Sequence, residues 1–357
     1  MKKIAVTVSL CLLLAGAGGT RQSLAAELGE TTQIIDLLKT NYVDHDKLDQ
    51  KLLNDATVGG ILHALGRGAQ IMTPDEAKSN AVRAIEIAAG TNEPLARAEI
   101  IDPNIGYIRL ADVTENTASA LDGELRAFAD AKVEGYVLDL RYADGTNYAA
   151  AAEVASRFVA SNQELFTLKT AKGAPEPFQT VATAHVVAPE LSEAPLMVLV
   201  NGRTRGSAET LAGVLHAQDR GILVGGKTAG SAVAWDDIDL DSNRVLRVAT
   251  AKIELPGNIE IFPAGITPDI PVKIDAKAEQ DAVLHSATNL TLTATLRPHE
   301  TRIMSEAELV KSFRGEAEST NSAAGGADEG DIQKVNDVVL QRAVDILKGI
   351  RVLLTSQ

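Results

Sequence analysis

The sequence predicts an α/β fold: a mostly parallel sheet with helices on both faces, preceded by an amino-terminal helical segment and followed by a carboxy-terminal helix. Three observations carry that reading. Four short apolar runs, at 106–110, 135–140, 196–200 and 222–224, alternate with stretches of helical spacing at 119–131, 148–159 and 208–218. Strands that are apolar at nearly every position are buried on both faces, and strands alternating with helices build parallel β-α-β units. Hydrophobic residues make up 45% of the 357 residues but aromatics only 3%, so the core must be assembled from Ala, Val, Leu and Ile. A chain of this length is long enough for one large domain or two ordinary ones.

The elements follow in order. Met1-Lys2-Lys3, an apolar run from Ile4 to Ala17 and the small residues before Glu27 read as a secretory signal peptide over 1–26, because the run is too short to cross ~30 Å of hydrocarbon. Cys11, the only cysteine, lies inside it. A processed chain without thiol, disulfide or stable membrane anchor, periplasmic or secreted, is the expectation. Residues 27–104 read as helical: two helices between Thr31 and Leu65 with a turn at Asn41-Tyr42-Val43-Asp44, then a third opening at Thr73-Pro74-Asp75-Glu76 with Thr as cap and Pro at the first position. The core spans 105–275 and includes a hairpin around Pro256-Gly257-Asn258. A core-packing extension covers 276–318 and a flexible polar tract 319–330. An amphipathic helix in 331–357 packs either on its own core or on a second subunit.

Ligands in such sheets lie beyond the carboxyl ends of the strands, so the loops 141–146 and 201–207 should converge there. The formal charge is −14, and it becomes more negative when Lys2, Lys3 and Arg21 leave with the leader, which argues against nucleic acid or an anionic membrane as partner. The six histidines are scattered without ligand spacing. The acidic run Asp236-Asp237-Ile238-Asp239-Leu240-Asp241 lacks the glycine and distal glutamate of a calcium loop and reads as an exposed strand edge. No metal and no cofactor are expected.

Several stretches, in order, resemble the carboxy-terminal processing peptidases of family S41. They are Gly59-Gly60-Ile61-Leu62, Ile105-Gly106-Tyr107-Ile108-Arg109, Val137-Leu138-Asp139-Leu140-Arg141, Pro195 to Gly202, Val224-Gly225-Gly226-Lys227-Thr228 and Gly265-Ile266-Thr267-Pro268-Asp269. The resemblance implies the family's ClpP/crotonase-like core and a serine-type peptidase site. It also marks departures. The family's nucleophile loop N-G-x-S-A-S-A-S-E is similar to Asn201-Gly202-Arg203-Thr204-Arg205-Gly206-Ser207-Ala208-Glu209, which puts Gly206 where the attacking serine belongs. The family's G-E-K-T-F-G-K-G is similar to Gly225-Gly226-Lys227-Thr228-Ala229-Gly230-Ser231-Ala232, so Ser231 stands at the general-base lysine and Trp235 at a following glutamine. Its D-L-R-x-N-P-G-G loop becomes Ala143-Asp144-Gly145-Thr146 at the end, with a carboxylate beside the oxyanion position. The interval 78–104 is shorter than the PDZ domain that relatives carry there.

A serine hydroxyl needs a base, and a lysine serves only when its pKa is lowered toward neutrality. Gly206 has no hydroxyl, and Ser231 is no base near neutral pH. The expectation is a tail-specific-protease-like pseudoenzyme that binds a peptide, a protein partner or a small ligand in the vestigial cleft. Arg203, Arg205, Gly145 and Thr146 are the binding candidates. The rival expectation is an active endopeptidase using Ser207 with Lys227. Against it, Ser207 reads as the cap of the following helix and Lys227 as a surface residue.

Overall fold

The computed structural model describes residues 31–44, 47–79, 95–102, 104–180, 194–241, 243–287 and 337–355. The leader with Cys11, the tract 319–330 and most of 276–318 lie outside these residues. Two compact units divide at Gly66.

The first unit contains helix α1 (31–41) and helix α2 (Gln50–Leu65). Asp49 caps α2 by accepting from the Leu52 amide at 2.7 Å, and Gly66 ends it at φ +55, a conformation that glycine adopts without steric cost. The two helices expected between Thr31 and Leu65 are present.

The second unit, from Arg67 onward, holds two sheets. Its first elements are strand β1 (Ala69–Met72), helix α3 (74–79) and strand β2 (Leu95–Ile101). At the start of α3 the Thr73 amide donates to Glu76 and the Glu76 amide to the Thr73 hydroxyl, a reciprocal capping box. The segment 27–104, expected to be helical, therefore also supplies two strands. Each is short and only partly buried, and β2 alternates too weakly for a period-two pattern to stand out.

Next come β3 (Ile105–Leu110), α4 (Thr117–Asp130), β4 (Gly135–Asp139), α5 (Tyr148–Ala155), β5 (Glu164–Thr170), β6 (Glu176–Gln179), β7 (Leu196–Val200), α6 (Gly206–Ala217) and β8 (Ile222–Gly225). The chain continues through β9 (Val233–Asp241), β10 (Arg244–Leu255), β11 (Ile259–Glu260), β12 (Ile270–Pro271), α7 (Ala276–Ala287) and α8 (Val338–Thr355). The main sheet has the order β12-β8-β7-β4-β3-β2, parallel except for β2.

Because β3, β4, β7 and β8 are added in one direction, right-handed crossovers must put every crossover helix on the same face. Helices α4, α5 and α6 accordingly share one core with Leu138, Leu140, Val198, Val200 and Leu223. The opposite face, Tyr107, Val137, Met197, Leu199 and Val224, is covered by Val339, Leu340, Ala343, Val344 and Leu347 of α8. Both faces carry helices, as expected, but the carboxy-terminal helix supplies the second layer. Burying its four large aliphatic side chains contributes on the order of 6–10 kcal/mol as an upper bound.

The second sheet runs β1-β10-β5-β6, with β9 and β11 also on β10. The hairpin around Pro256-Gly257-Asn258 is there, pairing Leu255 with Ile259. So is the acidic edge: among the described residues β9 pairs only with β10, and Asp236 to Asp241 are exposed along it.

Candidate functional site

The two loops at the carboxyl ends of β4 and β7 converge, as the sheet topology requires. Asn201 holds the first: its side-chain oxygen accepts from the Tyr142 amide at 3.3 Å and the Arg203 amide at 3.0 Å. Thr204, fully buried, donates its hydroxyl to the Leu140 carbonyl at 2.8 Å. The Arg205 amide then donates to the Ala143 carbonyl at 3.0 Å, and the Ser207 amide to the Gly145 carbonyl at 2.9 Å. The two loops are thus zipped together backbone to backbone.

This zipper closes the space between the β4 and β7 loops. Gly206 opens α6 with φ +54, and a Cβ added there would lie 2.0 Å from the Gly145 carbonyl oxygen and 3.1 Å from a carboxylate oxygen of Asp144. Gly145 is at φ +141, and a Cβ on it would meet the Ser207 hydroxyl at 2.1 Å and Asp112 at 2.6 Å. Two glycines face each other because nothing larger fits. The Gly145 amide donates to its neighbour's carboxylate, Asp144 Oδ1, at 2.8 Å, so it too is spoken for.

Asp144 is anchored from the other side by an ion pair with Arg205 at 2.8 Å, and its carbonyl accepts from the Val113 amide. Burial, with Asp144 beside it, raises the Asp112 pKa against the opposing hydrogen bond from the Val113 amide.

Ser207 is completely buried one residue inside α6, and its hydroxyl donates to the Val113 carbonyl at 3.2 Å. It does not cap the helix. The N-cap position is Arg205, with no side-chain bond, because the left-handed Gly206 starts the helix two residues earlier than the sequence pattern implied.

The loop that would carry the base is tied to the same helix by Glu209. That carboxylate is fully buried and accepts from the Thr228 hydroxyl at 2.5 Å, the Gly230 amide at 2.6 Å and the Ser231 amide at 2.7 Å. Burial pushes its pKa up, and the Thr228, Ser231 and Gly230 donors offset part of that rise. The Ser231 hydroxyl is buried without a hydrogen-bond partner. Trp235 is placed elsewhere, half-buried on β9 opposite Ala249. Arg203, Thr146 and Lys227 are exposed, whereas the Arg205 charge is already compensated by Asp144. Among the described residues no group of three or more His, Cys, Asp or Glu could hold a metal ion.

A second polar cluster caps the strand ends on the α8 face, and its role was not legible beforehand. Arg141 is fully buried between two carboxylates: it reaches Asp139 through Nε at 2.9 Å and Nη2 at 2.6 Å, and Asp337 through Nη1 at 2.9 Å and Nη2 at 2.7 Å. The Tyr107 hydroxyl donates to Asp139 at 2.8 Å. Asp337 is also the cap of α8, accepting from the Leu340 amide at 3.0 Å. Burial opposes ionisation of Asp139, but the charge and hydrogen bonds of Arg141, aided by Arg109, outweigh it and hold its carboxyl below the ordinary range. The alternation Asp139-Leu140-Arg141 was a readable sign that both polar groups share one strand face. Nothing local pointed to Asp337, 196 residues away.

A parallel sheet with its crossover helices on one face, and loops that meet at the ends of β4 and β7, defines an α/β core. Residues 104–272 match the model of peptidase family S41. Curated relatives of the carboxyl-terminal processing type are similar to the same region. The chain is 31% identical over 165 residues to carboxyl-terminal-processing peptidase 3, chloroplastic, of Arabidopsis thaliana, covering 46% of this chain and 31% of that one. It is 26% identical over 268 residues to the chloroplastic C-terminal processing peptidase of Tetradesmus obliquus, covering 72% and 56%. With the carboxyl-terminal-processing protease of Synechocystis it shares 31% identity over 166 residues, covering 46% and 37%. Among solved structures, a photosystem II D1 C-terminal processing protease aligns with TM-score 0.44 and 26% identity over 51% of this chain and 49% of that one. The chain thus spans between 31% and 56% of the length of these curated relatives. No described helix is long and apolar enough to cross a membrane.

Proposed function

We propose that this is an exported S41 peptidase-like protein that does not cleave peptides and instead binds a peptide, a protein partner or a small ligand at the vestigial site. One observation carries the reading: the backbone amides of Ser207 and Gly145 are both consumed inside the protein, by the Gly145 carbonyl and the Asp144 carboxylate. Those amides flank the position where the family's nucleophile belongs, and in acyl transfer such donors must be free to receive the developing oxyanion. Gly206 supplies no hydroxyl, and Ser231 supplies no amine. Arg203 and Thr146, exposed beside the closed crevice, offer the contact surface for a carboxylate or polar ligand. Export rests on the leader-like residues 1–26, and capture of substrate tails by a PDZ domain is absent from this reading because 78–104 is too short for one.

Incubating the processed protein with unfolded casein and with a serine-reactive fluorophosphonate tests this. Neither cleavage nor labelling is expected. Labelling that disappears in Ser207→Ala would establish the alternative, a serine endopeptidase acting through Ser207.

A further inference from the structure

We infer that a second site lies at the opposite end of the main sheet, a cleft that takes a zwitterionic α-amino acid with a large apolar side chain. The cleft has a volume of about 430 Å³, within the roughly 300–1,000 Å³ of small-molecule sites. It opens where β3 and β4 begin, at Ile105 and Gly135, so the length of the strands separates it from the loops after β4 and β7. The last turns of α8 form its other wall. Ile105 and Leu347, both buried, make an apolar floor that Val352 continues at the mouth. Gly135 adds no side chain to that floor; a Cβ there would come within 3.2 Å of Leu347.

The charges at the mouth select the ligand. Lys348 and Arg351, one turn apart on α8, face two acids from the turns that lead into the strands: Lys348 pairs with Asp102, and Arg351 with Glu134 at 2.7 Å. In a chain of formal charge −14 this mouth is locally balanced, two cations against two anions. Arg351 and Glu134 are each about half exposed, and ion pairs held in solvent open at little cost. A monocarboxylate that took Arg351 would leave Glu134 without its cation, and an amine that took Glu134 would leave Arg351 without its anion. A ligand that carries both charges on adjacent carbons enters the pair without stranding either side. Its carboxylate meets the planar fork of Arg351 and its ammonium meets Glu134, while its side chain covers Ile105 and Leu347 and leaves water. A polyanion such as a nucleotide does not fit, because Asp102 and Glu134 stand in the same mouth. The site is independent of whether the chain cleaves peptides.

Isothermal titration calorimetry of the protein with L-leucine tests this. L-Leucine should bind at one equivalent, and 4-methylpentanoate and 3-methylbutylamine, which keep the apolar body but one charge each, should bind at least tenfold more weakly. Arg351→Gln and Glu134→Gln should each weaken L-leucine at least tenfold while leaving the thermal melt in place, since the pair is exposed. Hydrogen exchange supplies the location: L-leucine should protect amides of 347–352 and leave those of 142–146 and 201–207 unchanged. No binding of L-leucine, equal affinity for either single-charge analogue, undiminished binding in both variants, or protection confined to the β4 and β7 loops would overturn the proposal. The analogue series needs no variant, so it decides even if a substitution disturbs folding.

Discussion

Two polar clusters sit at the same end of the parallel sheet, one on each face, and they differ in what their groups have left to give. Around Arg141 the bonds that join separate elements are between side chains: a guanidinium joins Asp139 of the sheet to Asp337 at the start of α8. Around Gly206 the Ser207 amide is held by the Gly145 carbonyl and the Gly145 amide by the Asp144 carboxylate, and that carbonyl occupies the space a side chain on Gly206 would need. The first cluster is ionic, hydrogen-bonded and buried. The second is built mainly on backbone amides and carbonyls, with the Asp144–Arg205 pair at its edge. The same sheet can therefore carry an ionic clamp on one face and a tightly closed loop junction on the other.

The contrast breaks most readily at the clamp. Arg141→Ala leaves Asp139 and Asp337 buried and facing each other without the guanidinium that joins them, a defect worth roughly 3–5 kcal/mol. Denaturant titration should register that loss, together with increased protease access to α8. Arg141→Lys, which keeps the charge but not the planar fork, should lose less. A loss under ~1 kcal/mol in Arg141→Ala would mean that α8 is held by its apolar stripe alone.

Acid should separate the clusters. Because the Asp139 pKa is depressed in the folded state, its stabilising contribution is full above the unfolded value of about 3.9 and is lost as pH falls from there through the folded value. Glu209 has the opposite sign: its raised pKa means that the carboxylate costs stability as pH rises through the folded value, and acid relieves that cost. Stability curves of Asp139→Asn should flatten on the acid limb. Glu209→Ala should instead lose roughly 2–3 kcal/mol near neutrality, because three donors from Thr228, Gly230 and Ser231 lose their acceptor. An unchanged acid limb in Asp139→Asn would remove the clamp's ionic character.

How far these clusters could be read from the residues follows from burial and distance. Strands β3, β4, β7 and β8 were plain because sandwiched parallel strands are continuous apolar runs, and the convergence of their loops followed from topology. The second sheet was mostly hidden: β5 and β9 mix Lys, Thr and Asp into partly exposed strands, which leave no clean period. Gly206 and Ser231 stood out by comparison with a family pattern. What closes the crevice did not, since a carbonyl position is a property of backbone angles that residue letters do not encode. The Ser207 role failed for the same reason: a left-handed Gly206 shifts the start of the helix.

Restoring the missing hydroxyl probes the seal directly. In Gly206→Ser the new Cβ must displace the Gly145 carbonyl and adopt φ +54, so a loss of about 1–3 kcal/mol is expected and casein should remain uncut. Gly145→Ala, which would drive a methyl into the Ser207 hydroxyl, should cost a similar amount. Cleavage by Gly206→Ser alone would mean that the loop yields easily and that only the nucleophile was missing.

The smallest effect belongs to Ser207. Its hydroxyl makes one 3.2 Å bond to the Val113 carbonyl within a fully buried site, and it is a donor there rather than the partner of a base. Ser207→Ala removes a single neutral hydrogen bond and leaves one carbonyl short of a donor, a change of about 1 kcal/mol. Thermal unfolding should shift by a few degrees at most, with the loops still zipped through the Arg205 and Ser207 amides, which the substitution leaves in place. A loss several times larger would mean that the hydroxyl, not the backbone, holds the crevice shut.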